Sequence, residues 1–161
     1  MATADELRAV VGECLDGHIC VQAWVGYAGV IFVGFGTDVI PASEQEESHP
    51  MPPYELQTNW ADWQVESSAK VLGTADDEDE VMVKAVQALV GYSVLSWNYH
   101  EELQVITIEF DDNLSLKVKP FYNDERPNAE SWWFVILETN RVVGVASNLA
   151  VFEGVYSHGD D

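Results

Sequence analysis

Residues 104–120 read Gln104-Val-Ile-Thr-Ile-Glu-Phe110-Asp-Asp-Asn113-Leu-Ser-Leu-Lys-Val-Lys-Pro120, and this stretch decides the fold class. Ile106, Ile108 and Phe110 alternate with Thr107 and Glu109, while Leu114, Leu116 and Val118 alternate with Ser115, Lys117 and Lys119. A period of two belongs to a half-buried strand, whose successive side chains point to opposite faces. Joining the two runs through Asp111-Asp112-Asn113 sets Phe110 opposite Leu114, Ile108 opposite Leu116 and Ile106 opposite Val118. A slip of one residue would turn all of these side chains toward water, so the register is specified. Thr107 then faces Lys117 on the wet side, and Asn113 suits the left-handed position of a three-residue hairpin loop.

Working outward, 94–99 adds a third strand before this hairpin, and 131–137 and 141–146 follow it. The N-terminal part opens with Thr3-Ala-Asp-Glu6, a capping-box pattern, ahead of apolar residues at Leu7, Val10, Val11, Cys14 and Leu15. That spacing predicts an amphipathic helix ending at Asp16-Gly17. Strands are predicted at 19–24 and 30–35, the second apolar on both faces and therefore covered on both sides. Residues 41–53 carry four prolines and no apolar periodicity, and read as an exposed loop. A strand over 54–60, a turn at Ala61-Asp62 and a further strand from Trp63 come next. Met82, Ala85, Val86 and Leu89 then mark a second helix, closed by Gly91.

The predicted fold is a single α+β domain over 1–161, an antiparallel sheet with two helices. Its halves, 3–67 and 76–137, share one order: helix, glycine stop, hairpin, tryptophan strand. Matching Gly17 to Gly91 gives an offset of roughly 74 residues, the mark of an internal repeat. Chance likeness between two ordinary α+β modules is the competing explanation.

Composition bounds the function. The chain has 161 residues, 47% of them hydrophobic, which supports a proper core. Seven basic residues face 28 acidic ones, a formal net charge of −21. Such a chain is repelled by nucleic-acid phosphates and anionic membranes. The start of the chain is acidic and helical, unlike a secretory signal, and the longest apolar run is too short to cross a bilayer. Cys14 and Cys20 read as small buried hydrophobes in a reducing cytoplasm.

Motifs for catalysis are few. No nucleophile elbow, phosphate-binding loop or zinc-protease helix occurs. His18, His49, His100 and His158 are scattered singly, so neither a metal nor any other cofactor is predicted. Asp76, Asp77, Glu78, Asp79 and Glu80 form the sharpest local feature. One reading is charge placed to favour the positive end of the second helix. Another is an electrostatic dock for a basic partner. A calcium loop fails for want of a turn glycine and of a glutamate twelve residues in, where Gln87 stands. Of six tryptophans, Trp24 and Trp97 read as core. Trp132 and Trp133 must face opposite ways from one strand, here predicted to be central and covered, and Trp60 and Trp63 raise the same question.

The pattern Leu89-x-Gly91, Leu103-x-x-x-x-Ile108-x-Phe110-Asp-Asp-Asn-Leu114-x-Leu116-x-Val118 and Glu130-Ser-Trp132, with the tryptophan strand over 54–65, resembles a group of small acidic bacterial domains that includes immunity proteins of polymorphic toxin systems. The resemblance implies a cytoplasmic, antitoxin-like binding protein and brings no catalytic residues. Asn113 stands where the group usually has glycine.

The leading expectation is a non-enzymatic protein that occludes a basic toxin. Asp76, Asp77, Glu78, Asp79 and Glu80, with Glu44, Glu46 and Glu47, would occupy the partner's phosphate-binding groove, and Trp63 or Trp133 would supply an apolar anchor. The alternative is a small-molecule or enzymatic site in an aromatic-lined cleft between the halves, with Glu109 or Asp111 as acid or base. In a third reading the charge serves only solubility or salt tolerance. Self-association through the tryptophan strands is open in all three.

Overall fold

The computed structural model describes residues 2–39, 51–121, 125, 129–148 and 150–156. Among them are two helices, α1 (Ala4–Leu15) and α2 (Asp79–Gln87), and eleven strands. The strands are β1 (Ile19–Val25), β2 (Ile31–Gly36), β3 (Tyr54–Thr58), β4 (Ala61–Ser67), β5 (Lys70–Thr74), β6 (Val94–His100), β7 (Val105–Phe110), β8 (Leu114–Pro120), β9 (Glu130–Ile136), β10 (Arg141–Ala146) and β11 (Val151–Val155). The fold is α+β, as the alternation predicts, but with two antiparallel sheets instead of one. Sheet A runs β1-β2-β3-β9-β10-β11 and sheet B runs β5-β4-β8-β7-β6.

The strand order has an internal logic. In each half a helix leads into three strands that meander within one sheet, β1-β2-β3 in sheet A and β6-β7-β8 in sheet B. The chain then changes sheet: β4 pairs with β8, and β9 pairs with β3. Each half therefore completes the other's sheet. Where the halves meet, Ile19 and Ser93 form an isolated antiparallel bridge. Cys20 N donates to Tyr92 O at 3.0 Å and Val94 N donates to His18 O at 2.9 Å, so the two helix-to-strand junctions hold each other reciprocally. Gly17 and Gly91 end the helices at φ of 75° and 93°, a left-handed conformation in which a Cβ is costly.

Local structure follows the sequence closely at both helices and at the central hairpin. Thr3 caps α1, its hydroxyl accepting from Glu6 N at 3.1 Å. Leu7, Val10, Val11, Cys14 and Leu15 of α1 and Met82, Ala85 and Val86 of α2 are buried, as is Leu89 just beyond it. In the hairpin, Ile106 pairs with Val118, Thr107 with Lys117 and Ile108 with Leu116. The loop uses positive φ at both Asp112 and Asn113.

The core lies between the sheets. Phe35, Leu56, Trp132 and Phe134 from sheet A meet Ile106, Ile108, Phe110 and Leu116 from sheet B, all essentially excluded from water. Each such side chain contributes about 1.5–3 kcal/mol of transfer free energy. Strand β9 is central, between β3 and β10, with Trp132 inward and Trp133 on the outer face.

Three local expectations need correction. The turn predicted at Ala61-Asp62 falls at Asn59 and Trp60, and Ala61 already opens β4 in the other sheet. Strand β5 was not expected, because its hairpin turn is Ser68-Ala69, at φ of 49° and 68°. That conformation is usually announced by Asn-Gly, and nothing in Ser-Ala signals it. Trp24, expected in the core, lies on the outer face of sheet A, stacked on Phe32 at 4.0 Å with planes 8° apart.

Candidate functional site

Residues 76–80 lie between β5 and the first turn of α2, and all five side chains are exposed. One of them is absorbed by the fold. Asp77 accepts from Thr74 N at 2.8 Å and from the Thr74 hydroxyl at 3.4 Å, which closes the turn after β5. Glu78 is the N-cap of α2 but makes no side-chain capping bond. Glu80 has Lys84 at 4.0 Å, an exposed i,i+4 pair of little energetic weight. The run thus carries more carboxylate than the helix start consumes.

The segment has an aromatic neighbour. The turn Tyr27–Gly29 joins β1 to β2, and Tyr27 at its tip is 94% exposed. Ala28 and Gly29 both adopt positive φ, 60° and 81°. Gly29 approaches so closely that a Cβ there would come within 3.2 Å of Ala75 O and 3.6 Å of Met82 Sδ. From beneath, Trp63 Nε1 donates to Gly29 O at 2.9 Å. Trp63 is 2% exposed, so it is an interior brace for this turn and offers a partner no surface, contrary to expectation. Tyr27 was missed because Gly26-Tyr-Ala-Gly29 reads only as a strand separator. A large aromatic at the tip of a glycine-bounded turn was the available signal.

Beside this surface, Asp62, Gln64, Thr74, Asp76, Lys117 and Lys119 line a cleft of about 260 Å³ on the outer face of sheet B. That face is wet, with Gln64, Lys117, Thr107 and Asn98 in one cross-strand row. Glu109 and Asp111, the suggested acid or base, are exposed and lie outside the clefts described here. Carboxylates also stand at other turns, as Asp5-Glu6, Glu101-Glu102 and Asp111-Asp112, and 76–80 is their densest run among the described residues. Glu44, Glu46 and Glu47, with most of the 41–53 loop, lie outside the described residues.

The opposite surface, the outer face of sheet A, differs in character. Glu55 is only 2% exposed there, in a row with Gln22, Gly34, Val135 and Val142. Pro52 covers Gly34 so tightly that a Cβ on Gly34 would come within 2.6 Å of its ring. Burial pushes the Glu55 carboxyl up to about 7, partly offset by hydrogen bonds from Gln57 and Gln22. Gln57 Nε2 donates to Glu55 Oε1 at 2.6 Å, and Trp133 Nε1 donates to Gln57 Oε1 at 2.9 Å. Trp133, expected as a surface anchor, is half-buried and tied into this network.

Cys14 and Cys20 are buried free thiols. Burial raises both well above the ordinary thiol range, which leaves them protonated and inert as nucleophiles. Among the described residues no three of His, Cys, Asp and Glu converge as metal ligands. No helix among them is long and apolar enough to cross a membrane. Comparison with protein-family models, with curated proteins and with solved structures finds no match to this chain.

Proposed function

We propose that this chain is a non-enzymatic binding protein that captures a basic protein partner on the surface formed by the 76–80 carboxylates and the Tyr27 turn. One observation carries the reading: a fully presented tyrosine sits on a turn braced by Trp63 and packed against Ala75 and Met82, the residues that flank the densest run of exposed carboxylates. The carboxylates steer a positively charged partner and raise its association rate. Tyrosine buries a large ring with few rotamers to freeze and slows dissociation. The two roles are separable, which makes the reading testable.

The resemblance to immunity proteins supports a finer version, in which the partner is a nuclease-type toxin and the carboxylates occupy its phosphate-binding groove. Two buried, unpaired thiols suit a reducing bacterial cytoplasm as the place of action.

The experiment is co-expression of the full chain with each basic reading frame encoded beside it, followed by affinity recovery at about 50 mM and about 500 mM salt. A basic partner is expected to be held at low salt and largely released at high salt. Replacing Asp76, Glu78, Asp79 and Glu80 by their amides is expected to slow association, and Tyr27→Ala to speed dissociation. Capture indifferent to salt and to both variants would overturn the proposal.

A further inference from the structure

The outer face of sheet A carries a second feature, remote from the acidic run. Trp24, Phe32, Gln57, Trp133, Gly144 and Phe152 form one cross-strand row from edge to edge of the sheet. A sheet face turned away from the main core is ordinarily polar, as in sheet B. Here it is aromatic. At Gly144 a Cβ would collide with the Trp132 carbonyl oxygen and with Trp133 Cβ, so only glycine fits between its neighbours. With no side chain at 144, Trp133 and Phe152 meet across β10 edge to face, ring centroids 6.5 Å apart and planes at 61°.

Beside this pair lies a cleft of about 370 Å³. Val142 and Gly154, which are cross-strand partners, also line it, and a Cβ added to Gly154 would meet nothing within 4 Å. Trp133, Phe152 and Tyr156 supply aromatic surface, and Glu130 supplies a carboxylate. Among the described residues no basic side chain lines it. The Trp133 N–H is already committed to Gln57, so its ring offers the cleft π surface and no donor. Aromatic faces are electron-rich and attract cations, the more so where water is partly excluded. An anion would meet Glu130 and the field of a chain with net charge −21. The volume falls within the roughly 300–1,000 Å³ range of small-molecule sites.

We propose that this cleft binds a small organic cation of the alkylammonium class. Its charge lies among Trp133, Phe152, Tyr156 and Glu130, and its methyl or methylene groups pack on Val142. Specificity against neutral compounds of the same shape comes from the rings and Glu130.

The test uses the full chain labelled with ¹⁵N. The indole N–H resonance of Trp133, assigned by its loss in Trp133→Phe, is followed while choline chloride is added at constant ionic strength. The control is 3,3-dimethylbutan-1-ol, which has the shape of choline without its charge. A saturable shift with choline, at least about fivefold tighter than with the alcohol, is expected. Gly154→Leu fills the cleft and is expected to abolish the shift without lowering the melting temperature, and Glu130→Gln to weaken it several-fold. Three results would each overturn the proposal: no saturation, equal affinity for the alcohol, or a Glu130→Gln variant that binds as tightly as the parent. Equal affinity would mark the cleft as an apolar groove only. Each of these outcomes is independent of whether a basic protein binds at Tyr27.

Discussion

Phe35 and Phe110 stack across the space between the two sheets, ring centroids 6.3 Å apart and planes within 15° of parallel. They occupy matching places, each the last core-facing residue of the second strand in its half, and both are buried. Neither half has a closed core without the other. Truncating either ring to alanine is expected to cost about 3–5 kcal/mol by urea unfolding. The double variant is expected to cost less than the sum by about 0.5–1.5 kcal/mol, because the rings act on one another. Strict additivity would show that the stack contributes nothing beyond burial.

Glu55 gives the fold a pH dependence of definite sign. Its folded pKa, about 7, lies above the ordinary 4.5 because burial disfavours the carboxylate. The folded chain therefore holds more protons than the unfolded chain between those values. The stability linked to Glu55 is complete below about pH 4.5 and is lost as pH rises through about 7, by at most about 3 kcal/mol. Glu55→Gln keeps an acceptor for Gln57 and removes the titration. Its stability relative to the parent is expected to rise between about pH 5 and pH 8. A difference that stays flat across that range, measured by urea unfolding, would show that Glu55 ionises as readily in the folded chain as in the unfolded one.

Sequence reading succeeds where a local pattern has one low-energy outcome. Ile106, Ile108 and Phe110 against Leu114, Leu116 and Val118 allow a single register, and the structure has it. It fails where the outcome depends on what lies opposite. Glu55 and Gln57 alternate with Leu56 in β3 and look like a wet edge. They are buried because Gln22 and Phe32 from one side and Trp133 and Val135 from the other share their face. The hint was present in 30–35, apolar on both faces and so already in need of an outer cover. The change of sheet at Asn59 and Trp60 leaves no trace in composition, since either sheet accepts Trp63 on its inner face. The Trp133 cleft is a product of that topology, which is why residue spacing alone did not reveal it, whereas the Tyr27 turn is a local β1–β2 connection whose signal was the aromatic at a glycine-bounded tip.

The 76–80 run divides into one residue that holds the turn, Asp77, and four whose carboxylates the turn does not use, Glu80 among them with its exposed Lys84 pair. Asp77 holds the Thr74 amide and hydroxyl, so Asp77→Ala is expected to cost about 1 kcal/mol. Asp76→Ala leaves those bonds intact and is expected to leave stability within about 0.5 kcal/mol of the parent. Asp77→Asn retains a carbonyl acceptor and is expected to recover most of the loss. Thermal unfolding of the three variants checks the division. Equal destabilisation by Asp76→Ala and Asp77→Ala would mean that charge at the start of α2, and not the turn, sets the cost.

Trp63 links the core to the proposed binding surface. Its N–H is donated to Gly29 O, in the turn that presents Tyr27 and presses on Ala75 and Met82. Trp63→Phe deletes that bond, with an expected cost of about 1–3 kcal/mol. Tyr27 itself and all five carboxylates are untouched. If the turn must be rigid to anchor a partner, the variant associates at the parent rate and dissociates faster, since steering depends on charge and retention on a pre-ordered ring. Stopped-flow association and dissociation with the basic partner separate the two rates. An unchanged dissociation rate would show that Tyr27 anchors without its brace, and a slowed association would place Trp63 in the charge-presenting machinery instead.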